Sequence, residues 1–299
     1  MASSVQGGSM QRADERPPSM LDRAVQLLTA FRPDGEPLTF SELVEAGGLT
    51  RTTTHRLAHD LVRLRLLRLE NGRYSAGLML FELGRLVPVS RTIRDAAVPF
   101  LQDLFEATHE TVHLGLRDGF DVVYAEKIHG HGSIDLPSRV GGRLPLTCTA
   151  VGKALLAADP AAEAQALRRP LPRLTRASVT DPAALAAQLA EARQTGVTLE
   201  REEANLGVAC VASAIMVDGK AQAAVSVSVP IDRYEPWRLA AAVRTTALGI
   251  SRQLVSCGVT TRRSRDAPPL PGPLGQTVTG VAQAAANPAR RRTSAIART

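Results

Sequence analysis

Residues 39–75 read TFSELVEAGGLTRTTTHRLAHDLVRLRLLRLENGRYS, and this stretch decides the fold of the N-terminal part of the chain. The pattern Thr39-x-x-Glu42 is a capping box, which predicts a short helix that ends at Gly47-Gly48. A second helix is predicted at 51–66, with an inward stripe made of Thr54, Leu57, Leu61 and Leu64. Asn71-Gly72 lies between two alternating segments and therefore indicates a β-hairpin.

Another helix is predicted before this stretch. The start signal Ser19-x-x-Asp22 is followed by apolar residues at three- and four-residue spacing, and residues 32–35 end the pattern. Three helices followed by a hairpin are typical of a winged helix-turn-helix domain, in which the third helix enters the major groove of DNA.

The outward face of the helix at 51–66 supports this interpretation because its side chains are basic or carry hydroxyl groups. Six arginines and two acids lie between residues 51 and 73, which gives this segment a local charge of +4. A solvated helix face is the alternative explanation, but the flanking helices and hairpin favour DNA binding. The predicted DNA-binding residues are Arg51, Thr52, Thr53, His55, Arg56, Arg68 and Arg73. Of these, Thr52, His55 and Arg56 are expected to read bases, while Arg51, Arg68 and Arg73 contact phosphates or the minor groove.

The rest of the chain interleaves strand and helix patterns. Strands are predicted at 111–116, 122–127, 207–217 and 221–229, and helices at 92–108, 150–156, 182–195 and 237–256. This order predicts an α+β fold in which the second domain contains an antiparallel sheet.

Composition limits the possible classes of protein. The chain has 299 residues, 44% of them hydrophobic, and a net charge of +7, of which residues 262–299 alone contribute +6. The global charge is therefore weak evidence for DNA binding. No apolar run approaches the ~18 residues that span a bilayer, and the first twenty residues lack the apolar core of a signal peptide. Three widely spaced cysteines provide neither a disulfide framework nor a paired metal site. We expect a cytoplasmic protein.

Several motifs in order make the chain resemble the IclR family of transcriptional regulators over residues 19–257. They are Leu21-Asp22-Arg23-Ala24, Thr53-Thr54-His55-Arg56-Leu57, Arg73-Tyr74, Ser138-Arg139-Val140-Gly141 with Leu144-Pro145-Leu146, residues 149–156 (TAVGKALL) and Glu202-Glu203 with residues 207–212 (GVACVA). The sequence departs from the family at Thr54, where a small apolar residue is usual, at Thr52, where serine is frequent, and after residues 212–214, where proline is frequent.

The resemblance implies a homodimer, or a dimer of dimers, that binds a palindromic operator and responds to a small organic or aromatic acid. A repressor is favoured over an activator. We expect a disordered segment at 1–18, the winged helix-turn-helix domain at 19–82, a linker helix region at 83–109, a GAF-like effector-binding domain at 110–257 and a disordered basic tail at 258–299. Carried over by position, the residues expected to bind the effector are Ser133, Leu136, Ala150, Val151, Glu200, Cys210, Ser226 and Ser228. The small-residue helix start at 149–152 suits a carboxylate, although core packing is an alternative role for its apolar residues.

Two alternatives remain at this point. His109-Glu110-x-x-His113 matches the pattern of a zinc hydrolase, but the second histidine falls on a predicted strand, which would separate the two ligands by ~13 Å. His129-Gly130-His131 has better metal spacing but is typical of an exposed turn. The second alternative is a DNA-binding protein whose other domain only dimerises. We expect no enzyme activity, no cofactor and no metal.

Overall fold

The computed structural model describes residues 17–31, 35–131 and 136–259, which form two compact units divided between Leu86 and Val87. None of the helices in these ranges is long and apolar enough to cross a membrane. Ser133 and the tail from residue 260 lie outside the described residues. Val259, which the sequence analysis assigns to the tail, is described and packs against the core of the second unit.

The first unit contains helices α1 Met20–Leu28, α2 Phe40–Gly47, α3 Arg51–Arg63 and α4 Leu78–Gly84, and strands β1 Leu38–Thr39, β2 Leu67–Glu70 and β3 Arg73–Ala76. The three strands form a sheet in the order β1-β3-β2. Both predicted capping boxes are present, at Ser19 with Asp22 and at Thr39 with Glu42. The core is made of Leu27, Leu43, Leu57, Ala58, Leu61 and Leu67. Three helices and a β-hairpin confirm the predicted winged helix-turn-helix.

The predicted end of α3 is wrong by three residues, and the inward role of Leu64 is wrong with it. Arg65 adopts φ 60°, and the Leu66 amide donates to the Leu61 carbonyl at 2.9 Å. This is a Schellman-type helix end with arginine at the position where glycine is usual, so the sequence carried no stop signal there. Leu64 is 48% exposed, and Leu67 fills the core in its place.

The second unit contains a six-stranded antiparallel sheet in the order β6-β5-β4-β9-β8-β7. Its strands are β4 Thr111–Asp118, β5 Asp121–Ile128, β6 Arg143–Pro145, β7 Thr198–Arg201, β8 Val208–Val217 and β9 Lys220–Pro230. Its helices are α5 Pro88–Thr108, α6 Ala150–Ala157, α7 Pro160–Leu167, α8 Pro182–Thr195 and α9 Pro236–Ser256. The α+β class with an antiparallel sheet is confirmed.

Some elements depart from the sequence prediction. The helix predicted at 92–108 begins earlier, at Pro88, because proline fits the first position of a helix. The strand predicted to end at residue 116 continues to Asp118, since its pairing with β5 extends to Asp118 opposite Asp121. The short elements α4, α7, β1, β6 and β7 were not predicted.

The two faces of the sheet bury different kinds of side chain. Val211, Ile215 and Val225 belong to a cluster with α5 and α9, whereas Ala212 and Ala224 belong to a second cluster with α6 and α8. Small residues on the second face let α6 lie close to the sheet: a Cβ atom at Gly115 would come within 2.5 Å of the Val151 side chain. The N-terminus of α6 is thereby held against β4, β8 and β9.

Candidate nucleic-acid interface and ligand cavity

The outward face of α3 presents the predicted DNA-binding side chains. Arg51, Thr52, His55 and Arg56 are exposed on α3. Thr53 is half-buried, and its amide and hydroxyl oxygen both bond to the Thr50 hydroxyl, at 3.3 and 2.9 Å. Thr53 therefore closes the first turn of the helix in addition to any contact with DNA.

Phe40, at the start of α2, organises part of this face, and the sequence analysis did not identify it. The Arg51 guanidinium lies 4.9 Å from the centre of the Phe40 ring, and the His55 ring meets the same ring edge-on at 5.9 Å. Both are attractive arrangements that limit the rotamers of Arg51 and His55. An aromatic residue immediately after the helix N-cap was the available signal.

The wing carries the other two predicted arginines, and both have acidic neighbours. Arg68 pairs with Glu70 along β2. Arg73 donates to the Pro37 carbonyl at 3.0 Å and lies 3.7 Å from the Glu42 carboxylate. These arginines remain half-exposed or more, so phosphate oxygens can replace the surface ion pairs at small cost.

A cavity in the second unit brings together the residues predicted for effector binding. It contains about 390 Å³ of empty space, including the part that opens to solvent. Seven of the eight predicted residues line it, namely Leu136, Ala150, Val151, Glu200, Cys210, Ser226 and Ser228. The eighth, Ser133, lies in the 132–135 segment outside the described residues. Thr149, in the helix start expected to suit a carboxylate, also lines the cavity, as do residues that were not predicted, among them His113, Tyr124, Ser138 and Asn205.

Buried polar groups form a continuous hydrogen-bonded chain along the wall of the cavity. His113 Nε2 lies 2.8 Å from the Ser138 hydroxyl, and His113 Nδ1 lies 3.4 Å from the Ser228 hydroxyl. Ser228 in turn lies 3.1 Å from Cys210 Sγ, and the Cys210 thiol bonds to the Glu200 carboxyl group. Strands β4, β9, β8 and β7 are neighbours in the sheet, which is why one side chain from each can join the chain.

Burial sets the charge state of these groups. It lowers the pKa of His113 to about 3, with a further contribution from the positive charge of Lys127, so the imidazole is neutral at physiological pH. Burial raises the pKa of Glu200 to about 7, against the opposing effect of its hydrogen bonds. Burial also raises the pKa of the Cys210 thiol and of the Tyr124 hydroxyl. The wall is therefore rich in neutral donors and acceptors.

The N-terminus of α6 closes one side of the cavity. Thr149 caps the helix by accepting the Gly152 amide at 3.0 Å. The amides of Ala150 and Val151, in the first turn, have no carbonyl of their own helix to donate to. Behind this turn, Lys153 is 1% exposed, pairs with Glu203 and donates to Gln188 Oε1 at 2.7 Å. This buried pair ties α6 to the loop after β7, which also lines the cavity.

The geometry does not support the two metal-site interpretations. His109 ends α5 with φ 56°, whereas His113 is buried on β4 between two serines. His131 packs against the rings of His109 and Phe105 on the surface. No group of three or more histidine, cysteine, aspartate or glutamate side chains within the described ranges is arranged to hold a metal ion.

A winged helix-turn-helix followed by a second domain that contains a cavity is typical of a DNA-binding regulator. Comparison with known proteins identifies which kind. Residues 20–70 match the IclR helix-turn-helix domain, and residues 87–252 match the C-terminal domain of bacterial transcriptional regulators of the IclR type. The chain therefore belongs to the IclR family of transcriptional regulators.

Similar proteins agree with this assignment. The transcriptional regulator XynR of Escherichia coli K12 is 34% identical over 248 residues, which cover 78% of this chain and 96% of XynR. The repressor AllR of Klebsiella pneumoniae is 29% identical, over 83% of this chain and 94% of AllR. An IclR homologue of Microbacterium hydrocarbonoxydans, solved with 4-hydroxybenzoate, is 28% identical and has a TM-score of 0.72 over 80% of this chain and all of its own. These relatives are regulators rather than enzymes, and the zinc-hydrolase alternative is wrong.

Proposed function

We propose that the protein represses transcription in the cytoplasm by binding a palindromic operator, and that a small organic or aromatic acid in the cavity changes its affinity for that operator. The observation that carries the proposal is the cavity: seven residues expected from the family line it beside the first turn of α6. Helix N-termini favour carboxylates through their free amides and dipole. AllR is named as a repressor and the Microbacterium homologue was solved with 4-hydroxybenzoate, and these two relatives support the repressor half and the effector half of the proposal.

The DNA-binding half rests on α3 and the wing. We infer that Thr52, His55 and Arg56 face the edges of the bases and that Thr53 lies beside the DNA backbone. The phosphates or the minor groove are contacted by Arg51, Arg68 and Arg73. Selection of bound duplexes from a random pool would give the operator, and an inverted repeat of two half-sites is the expected result. A single asymmetric site would contradict a dimer on a palindrome.

A substitution of Arg56 tests base reading. Arg56→Ala is expected to weaken binding to the selected operator by ~1 to 3 kcal/mol, because a bidentate contact to guanine would be lost, and to weaken binding to random DNA much less. Arg176→Ala, which removes an exposed arginine from the second unit, is the control and is expected to change neither. Equal losses on both DNAs would make Arg56 a phosphate contact.

The expected homo-oligomer is supported by apolar side chains that the first unit leaves exposed. Leu78 and Phe81 on α4, followed by Leu86, are 68 to 80% exposed. Such side chains are typical of surfaces that contact another protein. We infer that a second copy covers them in a homodimer, or in a dimer of dimers. Sedimentation of the full chain tests this, and a monomer at micromolar concentration would contradict it.

The effector half is tested by thermal shift with a panel of small aliphatic and aromatic monocarboxylates that includes 4-hydroxybenzoate. A ligand that binds the folded state alone raises the melting temperature. Ala150→Leu is expected to abolish this response, since Ala150 lines the cavity and is 2% exposed, and to leave operator binding intact. The absence of any response in the wild type would favour the remaining alternative, a domain that only dimerises.

A further inference from the structure

Glu200 is an unusual residue to find in a cavity that receives an acid. Its side chain is 2% exposed and lines the cavity, and no lysine or arginine is among the described residues of the wall. The Glu200 Oε1 atom accepts the amides of Glu203 and Ala204 at 2.5 and 3.2 Å. The second carboxyl oxygen accepts neither amide, and the Cys210 thiol also bonds to this carboxyl group. A bound carboxylate would therefore meet another carboxyl group with no cation between them.

We propose that the cavity takes up a monocarboxylic acid together with one proton, which Glu200 holds on Oε2 and shares with the carboxylate of the ligand. This inference rests on the proposed acid effector. Two ionised carboxylates at hydrogen-bond distance repel each other strongly where one of them is as buried as Glu200, whereas one proton between them forms a strong charge-assisted hydrogen bond. The pair then carries a single negative charge, which the first turn of α6 stabilises.

Of the titratable groups in this part of the cavity wall, Glu200 is the one expected to change its charge near neutral pH. From the loop after β7, the Glu203 carboxylate is paired with the buried Lys153 of α6, so that lysine does not neutralise Glu200. The next residue of β7, Arg201, is exposed, and its guanidinium lies 5.4 Å from the centre of the Tyr234 ring.

The other titratable groups that face Glu200 stay uncharged between pH 6 and 8. The pKa of His113 on β4 is lowered by burial to about 3. Burial raises the pKa values of Cys210 on β8, Tyr124 on β5 and Tyr234 after β9 above their usual alkaline ranges. Burial raises the pKa of Glu200 to about 7, within this window.

The same geometry defines the class of ligand. A monocarboxylate satisfies the proton on Glu200 and the amides of α6, and neutral groups such as Ser226, Ser228 and His113 can bond to hydroxyl or carbonyl groups elsewhere on it. A second carboxylate would find no cation in the described wall. We therefore expect 4-hydroxybenzoate, or another monocarboxylate of similar size, to bind better than terephthalate, in which a carboxylate replaces the hydroxyl group.

Calorimetry on the full-length protein tests the proposal. The monocarboxylate panel is titrated at pH 6.0 and pH 8.0, where the acids themselves are ionised. Because only the protonated form of Glu200 accepts the ligand, affinity is expected to fall about tenfold between these values. At pH 8.0, the dependence of the binding enthalpy on the buffer is expected to show uptake of about one proton.

Two variants test whether Glu200 causes the pH dependence of ligand affinity. Glu200→Gln carries an amide where the wild type carries the proton, so its affinity is expected to be equal at both pH values. Glu191→Gln, which alters an exposed carboxylate on α8, is the control and is expected to behave as the wild type. Equal wild-type affinity at both pH values with no proton uptake would overturn the inference and leave the proposed function standing. If none of the monocarboxylates binds at pH 6.0, both fail.

Discussion

At the scale of single residues, Thr54 carries a buried hydroxyl group that has no hydrogen-bond partner. It is fully buried on the inward face of α3, and its hydroxyl is one of two buried side-chain polar atoms in the described ranges that have no hydrogen-bond partner. The family resemblance implies a small apolar residue at this position. A buried hydroxyl without a partner loses its hydration and gains nothing in exchange.

We therefore predict that Thr54→Val stabilises the first unit by about 1 kcal/mol, because the substitution keeps the shape and removes the unsatisfied hydroxyl. Chemical denaturation followed by circular dichroism measures the change. Thr52→Val, at an exposed position of the same helix, is the control and is expected to stay within ~0.5 kcal/mol of the wild type. A destabilised Thr54→Val variant would mean that the hydroxyl has a partner in solution.

Lys153 is the opposite case, a buried charge whose partners are all present. Lys153→Met is expected to destabilise the second unit by ~3 to 5 kcal/mol, since Glu203 would remain buried without its cation. The double variant with Glu203→Gln should recover part of this loss, because it removes the unpaired charge. Lys220→Met, at an exposed position, is the control for the loss of a lysine. A loss that the double variant does not reduce would count against the ion pair as the cause.

The individual cavity residues came from the family resemblance rather than from patterns in the sequence. Glu200, Cys210 and Ser228 lie on three strands that only the folded sheet makes neighbours. His113 drew attention only as part of a zinc pattern, because its contacts with Ser138 and Ser228 cross 25 and 115 residues of chain. The spacing of residues along the chain does not predict such contacts.

At the scale of elements, the position of α6 depends on Gly152 as well as on the small residues of the sheet. A Cβ atom at Gly152 would lie 2.1 Å from the Leu146 carbonyl oxygen, which belongs to the 3-10 turn Leu146–Cys148 before the helix. The backbone at Leu146 cannot move aside as the end of a flexible side chain could. Gly152 therefore lets the turn and the first turn of α6 pack together, and this packing sets one wall of the cavity.

We predict that Gly152→Ala destabilises the second unit by about 3 kcal/mol and weakens binding of the acid, since α6 must move away from the turn. Gly84→Ala in α4 is the matched control, because no atom lies within 4 Å of the added carbon and alanine favours helix. The control is expected to keep or raise the melting temperature. A Gly152→Ala protein with wild-type stability and acid affinity would show that the turn can yield.

Most elements with strong local signals were predicted, although α7, which begins with the N-cap Asp159 and with Pro160, was missed. The two capping boxes and the hairpin turn at Asn71-Gly72 are local, and the structure has all three. The end of α3 depends on Arg65 in a left-handed conformation, which arginine rarely adopts, so no residue type announced it. Strands β6 and β7 are three and four residues long and are defined by their partners at the sheet edges.

At the scale of the whole molecule, coupling between operator and acid must be reciprocal. If the acid changes operator affinity by a factor between ~5 and ~150, the operator must change acid affinity by the same factor. Titration of the acid into free protein and into the operator complex measures one factor, and operator binding with and without acid measures the other. Acid affinity that the operator leaves unchanged would mean that the ligand does not regulate DNA binding. Random DNA of equal length is the control.

The sequence by itself determined the class of fold and the helix with a basic outward face, because helix caps, hairpin turns and a one-sided charge pattern are encoded within a few consecutive residues. Its ordered motifs also indicated the family, which the family matches confirm. Only the tertiary structure decided that His113 joins Glu200, Cys210 and Ser228 on one cavity wall and that Leu67 replaces Leu64 in the core. Burial and hydrogen bonding depend on contacts between distant segments, and these exist only once the sheet has formed.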